Sequence, residues 1–346
     1  MKNINNLFLL FATTILLFNC ESNNEDLISE PISEPEEELV LVSSLLFQEV
    51  YSFEDNLLGG PHIGMTYSSN NNSLFITCRE NDPSGTTTEE EAFKLNLDSY
   101  QLTRRNVTPG GFITKQLTII NDTLVSIGGT EIKFYDSNFE YAGEKSYGNN
   151  FTLSKFGIAT HNNETYIIGG YRVDGTTSEN KKIRKLKGNI TGNQFEEFIN
   201  TPETMIGASG AVVNEKLHVF GGALYEDWEA TNKIYIYPLN NPQGYEEFSM
   251  TVKADVTFVH KYKEMILVAG HKGLYSGEKT SFVGVFNTNT NTFEEIETNL
   301  DSEGGTKAIH QMILKDDKII ILFGHKASAQ LPESKWSILT AELIGG

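Results

Sequence analysis

A short apolar run that stops in a glycine pair, Leu217-His218-Val219-Phe220-Gly221-Gly222, recurs along most of the chain. Further copies are Leu124 to Gly129, Thr165 to Gly170, Met265 to Gly270 and Ile319 to Gly324, with a degenerate one, Leu74 to Arg79, ahead of them. Their last residues stand at 79, 129, 170, 222, 270 and 324, so the copies are 50, 41, 52, 48 and 54 residues apart. A unit of that length made of short strands cannot bury its own apolar face. It must stack against its neighbours, which for all-β repeats near this period means the blades of a propeller.

Each unit reads as four strands. The first unit runs from about His62, the second from Lys115, the third from Phe156, the fourth from Gly207, the fifth from Asp255 and the sixth from Lys307. Turn pairs such as Asn121-Asp122, Asn162-Asn163, Asn214-Glu215 and Asp316-Asp317 separate the first and second strands. The sixth unit runs out of chain after three strands, whereas the stretch Leu39 to Phe53 is strand-like and has no unit of its own. Supplying the missing outer strand from the N-terminus closes the ring and removes open sheet edges. The expected fold is all-β: a six-bladed β-propeller of four-stranded antiparallel blades whose N-terminal strand closes the last blade.

The period and the glycine pairs resemble the kelch-repeat propellers of the galactose-oxidase/kelch-like superfamily, over roughly residues 39 to 343. In that family the first strand of each blade lines a central channel and the second packs behind it, so glycine is expected where backbones crowd and where the chain leaves the strand at φ > 0. The family carries Trp in the fourth strand; here Phe195, Phe248 and Phe293 stand instead, and the chain has only Trp228 and Trp336. Copper chemistry of the galactose-oxidase kind is not expected, because its Cys–Tyr cross-link and His ligands find no matching motif.

The ends and the charge give an address. Residues 1–19 have a positive start at Lys2 and an apolar stretch from Leu7 to Phe18, too short for a permanent span. They finish Leu17-Phe18-Asn19-Cys20, which resembles a lipoprotein signal of the Bacteroidota type and implies lipidation of Cys20. An ordinary signal peptide or anchor helix is the other reading. Residues 20–38, with an Ile-Ser-Glu-Pro doublet running into acid, are expected to be a disordered acidic tether. Residues 39–346 form the propeller. A formal charge of −19 argues against a nucleic-acid partner. With two cysteines, Cys20 and Cys78, there is no disulfide framework and no cysteine-based zinc site. The placement expected is lipid-anchored at the outer membrane, on its periplasmic or cell-surface side, as a monomer.

Function should lie on the long loops after the second strands and between blades. The residues following the glycine positions are basic or histidine: His271 and Lys272, His325 and Lys326, Tyr171 and Arg172, with Arg79 on the glycine position itself and His62 at the start of the first unit. Cations gathered at one mouth attract anions, and Tyr225, Trp228 and Tyr275 could supply flat platforms for sugar rings. Carboxylates on the same loops, such as Asp82 and Asp227, could equally neutralise the basic groups as solvated pairs. His161, His218 and His260 sit in strands without partners at metal spacing, so no metal and no cofactor is expected. There is no HExxH, G-x-S-x-G or P-loop. The leading expectation is a cell-envelope lipoprotein that binds a glycan or protein partner and is not an enzyme. The alternative is a sugar mutarotase like the six-bladed N-acetylneuraminate epimerases, or a polysaccharide lyase or hydrolase on the same face.

Overall fold

The computed structural model describes residues 43–54, 63–79, 90–107, 116–120, 122–128, 131–146, 153–162, 164–172, 181–187, 194–273, 279–301, 305–325 and 335–343. The expected signal segment, the tether, Cys20, His62, Tyr275 and Lys326 lie outside them. Among the described residues no helix is long and apolar enough to cross a membrane.

Six antiparallel sheets form the propeller, the first five built in chain order from the centre outward. Blade one comprises Gly64–Ser68, Ser73–Arg79, Glu90–Asn96 and Leu102–Val107. Blade two comprises Gln116–Ile120, Thr123–Ile127, Glu131–Tyr135 and Tyr141–Ser146. Blade three is Gly157–His161, Glu164–Ile168, Lys182–Lys187 and Gln194–Asn200. Blade four is Ser209–Val213, Lys216–Phe220, Thr231–Pro238 and Glu246–Ala254. Blade five is Val256–Tyr262, Met265–Lys272, Thr280–Asn287 and Thr292–Thr298. Blade six takes Ala308–Lys315, Lys318–His325 and Lys335–Glu342 from the end of the chain and its outer strand, Gln48–Phe53, from the beginning.

The N-terminal strand does more than complete blade six. Just before it, Ser44–Leu45 lies parallel to Glu297 and Thr298 on the rim of blade five. Between the two segments, the Phe47 amide donates to Asn299 Oδ1 at 2.8 Å and the Asn299 Nδ2 donates back to the Phe47 carbonyl at 3.0 Å. The clasp therefore spans two blades.

The core lies between blade faces. Phe220, Ile234 and Ile236 of blade four pack on Phe282 and Phe286 of blade five, with Phe220 edge-on to Phe286 at 5.6 Å. Ile76 and Phe93 of blade one pack on Ile320, Trp336 and Ile338 of blade six. Full burial of each such side chain contributes about 2 kcal/mol, so each blade is held chiefly by its neighbours. The turn pairs adopt the left-handed geometry that tight hairpins need: Asn214 and Glu215 have φ of 50° and 54°, and Asp122, Asn162 and Asp316 have φ of 58°, 47° and 52°.

The repeated glycines divide into two kinds. Gly169 and Gly170, and Gly221 and Gly222, have positive φ and end their strands as expected. In blades five and six the strand does not end at the glycine, which corrects the expectation that His271 and His325 lie on loops. Gly270 and Gly324 sit inside Met265–Lys272 and Lys318–His325, where a Cβ would land on the carbonyl oxygens of Val256 and Lys335. Glycine is needed there for close approach, and the histidine that follows is carried on a strand.

Candidate functional site

The six inner strands touch one another in ring order and enclose a central cavity of about 270 Å³ to which all six contribute wall. The turns that feed the inner strands of blades three, four and five hold Lys155, Gly207 and Asp255. Main-chain bonds tie these turns together: the Gly207 amide donates to the Lys155 carbonyl at 2.8 Å and the Thr257 amide to the Gly207 carbonyl at 3.0 Å. The Asp255 amide donates to the His271 carbonyl at 3.2 Å. Segments of blades three, four and five thus converge at one mouth.

The charges there are few and buried. Asp255 is 1% exposed, and its carboxylate attracts both Lys155 and Lys279. Burial outweighs that attraction, pulling the Lys155 amine down to about 8 and the Lys279 amine below its ordinary value. The Lys155 Nζ stands 4.7 Å from the centre of the Trp228 ring, and Tyr225 lies 6.1 Å from Trp228. Tyr225 is fixed by its amide, which donates to Thr204 Oγ1 at 2.6 Å.

Two imidazoles complete the wall. His271 is 2% exposed and faces the cavity. Neither of its ring nitrogens completes a hydrogen bond of normal geometry, although the Ile309 main chain lies close enough to favour the protonated ring slightly. Burial, with help from the Lys279 charge, dominates and pushes His271 down to about 4. His310 occupies a β-bulge, because the register against Lys318–His325 shifts between Ile309 and Gln311. Its Nε2 donates to the Gly324 carbonyl at 3.2 Å, and Trp336 stacks edge-on at 5.0 Å. Burial, then His271 and Lys279, hold His310 well below the ordinary imidazole range. The His271 and His310 rings are 6.2 Å apart.

The residues expected from sequence are distributed unevenly around this centre. His271 lines the cavity, while Lys272, one residue on, points away and is exposed. The His-Lys pair is thus split across the two faces of its strand. His325 is 4% exposed and sits close enough to disfavour charge on His310. Tyr225 and Trp228 form the half-buried rim beside Lys155. The main chain of Tyr171–Arg172 pairs with Leu153–Ser154, immediately before Lys155, and Arg79 pairs with Glu90 at the end of blade one's second strand. His161 and His260 also line the cavity, but His161 Nε2 is 3.3 Å from Glu215 and His260 Nε2 donates to the Met312 carbonyl at 2.8 Å. His218 is buried, its Nδ1 donating to the Lys216 carbonyl at 3.0 Å. Lys279 and His310 carried no sequence signal as site residues. Among the described residues no group of three or more His, Cys, Asp or Glu side chains is placed to hold a metal ion.

Fold and cavity together define the class: a six-bladed β-propeller with a ligand- or substrate-binding face at one channel mouth. Among solved structures, that of YjhT is similar, with a TM-score of 0.54 at 13% identity over 82% of this chain and 95% of that one. At that identity the likeness shows the fold. No family model matches the chain, and no curated protein does. The expectation that the chain is not an enzyme is corrected at this point. The mouth holds a buried, neutral imidazole and an amine that burial leaves partly deprotonated, groups suited to proton transfer.

Proposed function

We propose that the protein is a sugar-processing enzyme of the mutarotase type, working by acid–base catalysis at the mouth between blades three, four and five. The observation that carries this reading is the pairing of His271 with Lys155 in one cavity wall, in opposite protonation states at neutral pH. His271, held near 4, is neutral and free to accept a proton; Lys155, near 8, is mostly the ammonium and can give one. In the ring-opening step His271 takes the proton of the anomeric hydroxyl and Lys155 protonates the ring oxygen. The bond between that oxygen and the anomeric carbon breaks, and a carbonyl forms. Rotation and the reverse transfers close the ring on either face. Asp255 holds the lysine charge at the mouth, and Trp228 with Tyr225 offers the apolar surface a pyranose needs.

Anomer exchange of N-acetylneuraminate, followed by NMR, tests the reading. The protein should accelerate it, and His271→Asn should lower that acceleration by about 10²–10⁴-fold while the circular dichroism stays unchanged. Absence of acceleration by the unaltered protein would overturn it. The same proposal places the enzyme, a kelch-type propeller, on a lipid anchor at Cys20 in the cell envelope, supported by the segment ending Leu17-Phe18-Asn19-Cys20. Radiolabelled palmitate should enter the chain and be lost in Cys20→Ser; labelling that persists in the variant removes the anchor.

A further inference from the structure

We propose that Lys155 is also a carbonyl-reactive amine, forming a reversible imine with the open-chain aldehyde or ketone of a sugar held at this mouth. The backbone at Lys155 and the surroundings of its side chain point to it. Lys155 has φ of 54°, a left-handed conformation that costs a side-chain-bearing residue about 1–2 kcal/mol. The corresponding turn in blade four uses a glycine, Gly207, at φ of 78°. Blade three thus carries a lysine where its neighbour has a glycine whose Cβ would meet the Asp255 carbonyl oxygen. The conformation is clamped by the Gly207 amide on the Lys155 carbonyl. The side chain lines the cavity, half-buried, with its Nζ over the Trp228 ring and near the buried Asp255 carboxylate. Burial keeps a usable fraction of it as free amine at neutral pH.

The chemistry follows from the ring-opening reading, on which the inference rests for its natural electrophile. When Lys155 gives its proton to the ring oxygen it becomes a neutral amine at the moment a carbonyl appears beside it. Its nitrogen lone pair attacks the carbonyl carbon, and the proton held by His271 passes to the carbonyl oxygen, giving a carbinolamine. The nitrogen then gives one proton to His271, which passes it to the hydroxyl as that group departs as water, forming the C=N bond of a protonated imine. One amine and one carbonyl give one imine and one water, and no oxidant or reductant is required. Hydrolysis returns the sugar, so the imine is a stage at which the open chain is retained.

The test uses the full chain, glyceraldehyde as an aldehyde that needs no ring opening, and cyanoborohydride to reduce any imine to a stable secondary amine before peptide mapping. At pH 7 Lys155 has on the order of a hundredfold more free amine than an unperturbed lysine, so the label should concentrate on Lys155 and disappear in Lys155→Arg. Should that variant fail to fold, the unaltered protein decides: labelling of Lys155 should reach half-maximum near pH 8, not near the ordinary lysine value of about 10.4. Label spread over surface lysines with Lys155 unmodified, or labelling of Lys155 that follows the ordinary value, overturns the inference. The two readings fail separately. Anomer exchange without Lys155 labelling removes the imine, and Lys155 labelling without exchange removes the mutarotase.

Discussion

At the scale of single residues, the site is defined by what burial does to charge. His271 and Lys155 shift in the same direction but end on opposite sides of neutrality, because their starting values differ by about four pH units. The kcat/KM for anomer exchange should therefore rise as pH passes about 4, where His271 loses its proton, and fall above about 8, where Lys155 loses its own. A rate profile measured from pH 3 to 10 checks both limbs; a single limb near pH 6.5 would point to a different base. The same burial has a price in stability. His218 and His271 are held near 4, and His260 and His310 are also depressed. The unfolded chain therefore binds more protons than the folded one between the ordinary value of about 6.5 and about 4. Stability is full above that window and is lost as pH falls through it. Thermal melting at pH 7 and pH 4.5 should show a lower Tm at the acidic value, with a smaller difference in His218→Asn.

At the scale of strands, one sequence signal, glycine at the end of an apolar run, conceals two structural demands. Gly221 and Gly222 need their left-handed backbone; Gly270 needs the absence of a Cβ against the Val256 carbonyl. Gly270→Ala should cost roughly 1–3 kcal/mol by overpacking. Gly244→Ala, whose Cβ would meet only the end of the Asn241 side chain 3.1 Å away, should change stability by no more than about 0.5 kcal/mol. Urea unfolding of the two variants separates them. The same distinction explains how far the sequence could be read. The period, the turn pairs and the clasp were legible, since each rests on local pattern and on counting strands. His271 was legible because it follows a glycine whose position the repeat fixes. His310 was not, since a bulge between Ile309 and Gln311 re-aims it and bulges leave no mark in the alternation of residue types. Asp255 was visible as the start of the fifth unit and Lys155 stands just before the third, but their meeting depends on two turns separated by a hundred residues being stitched through Gly207.

At the scale of the molecule, ring closure depends on the first described segment meeting the last. Asn299→Ala removes the two bonds that fix Phe47 to blade five. It should lower stability by roughly 1–3 kcal/mol, read as a lower urea midpoint with the slope unchanged. A chain beginning after Phe53 would leave Trp336 and Ile338 of blade six without their outer cover, Val50 and Phe53, and should elute from a sizing column as aggregate. The clasp also imposes an order in time. Glu49 and Ser337, joined across blade six at 2.6 Å, are 288 residues apart. At ordinary synthesis speeds of 5–20 residues per second, Gln48–Phe53 is made about 15–60 s before its partner strand exists. Blades one to five can stack as they emerge, but the circle stays open until the final dozen residues are in hand. The earliest strand of the fold is therefore the last to be used, and until then Val50, Tyr51 and Phe53 wait without the blade they pack on.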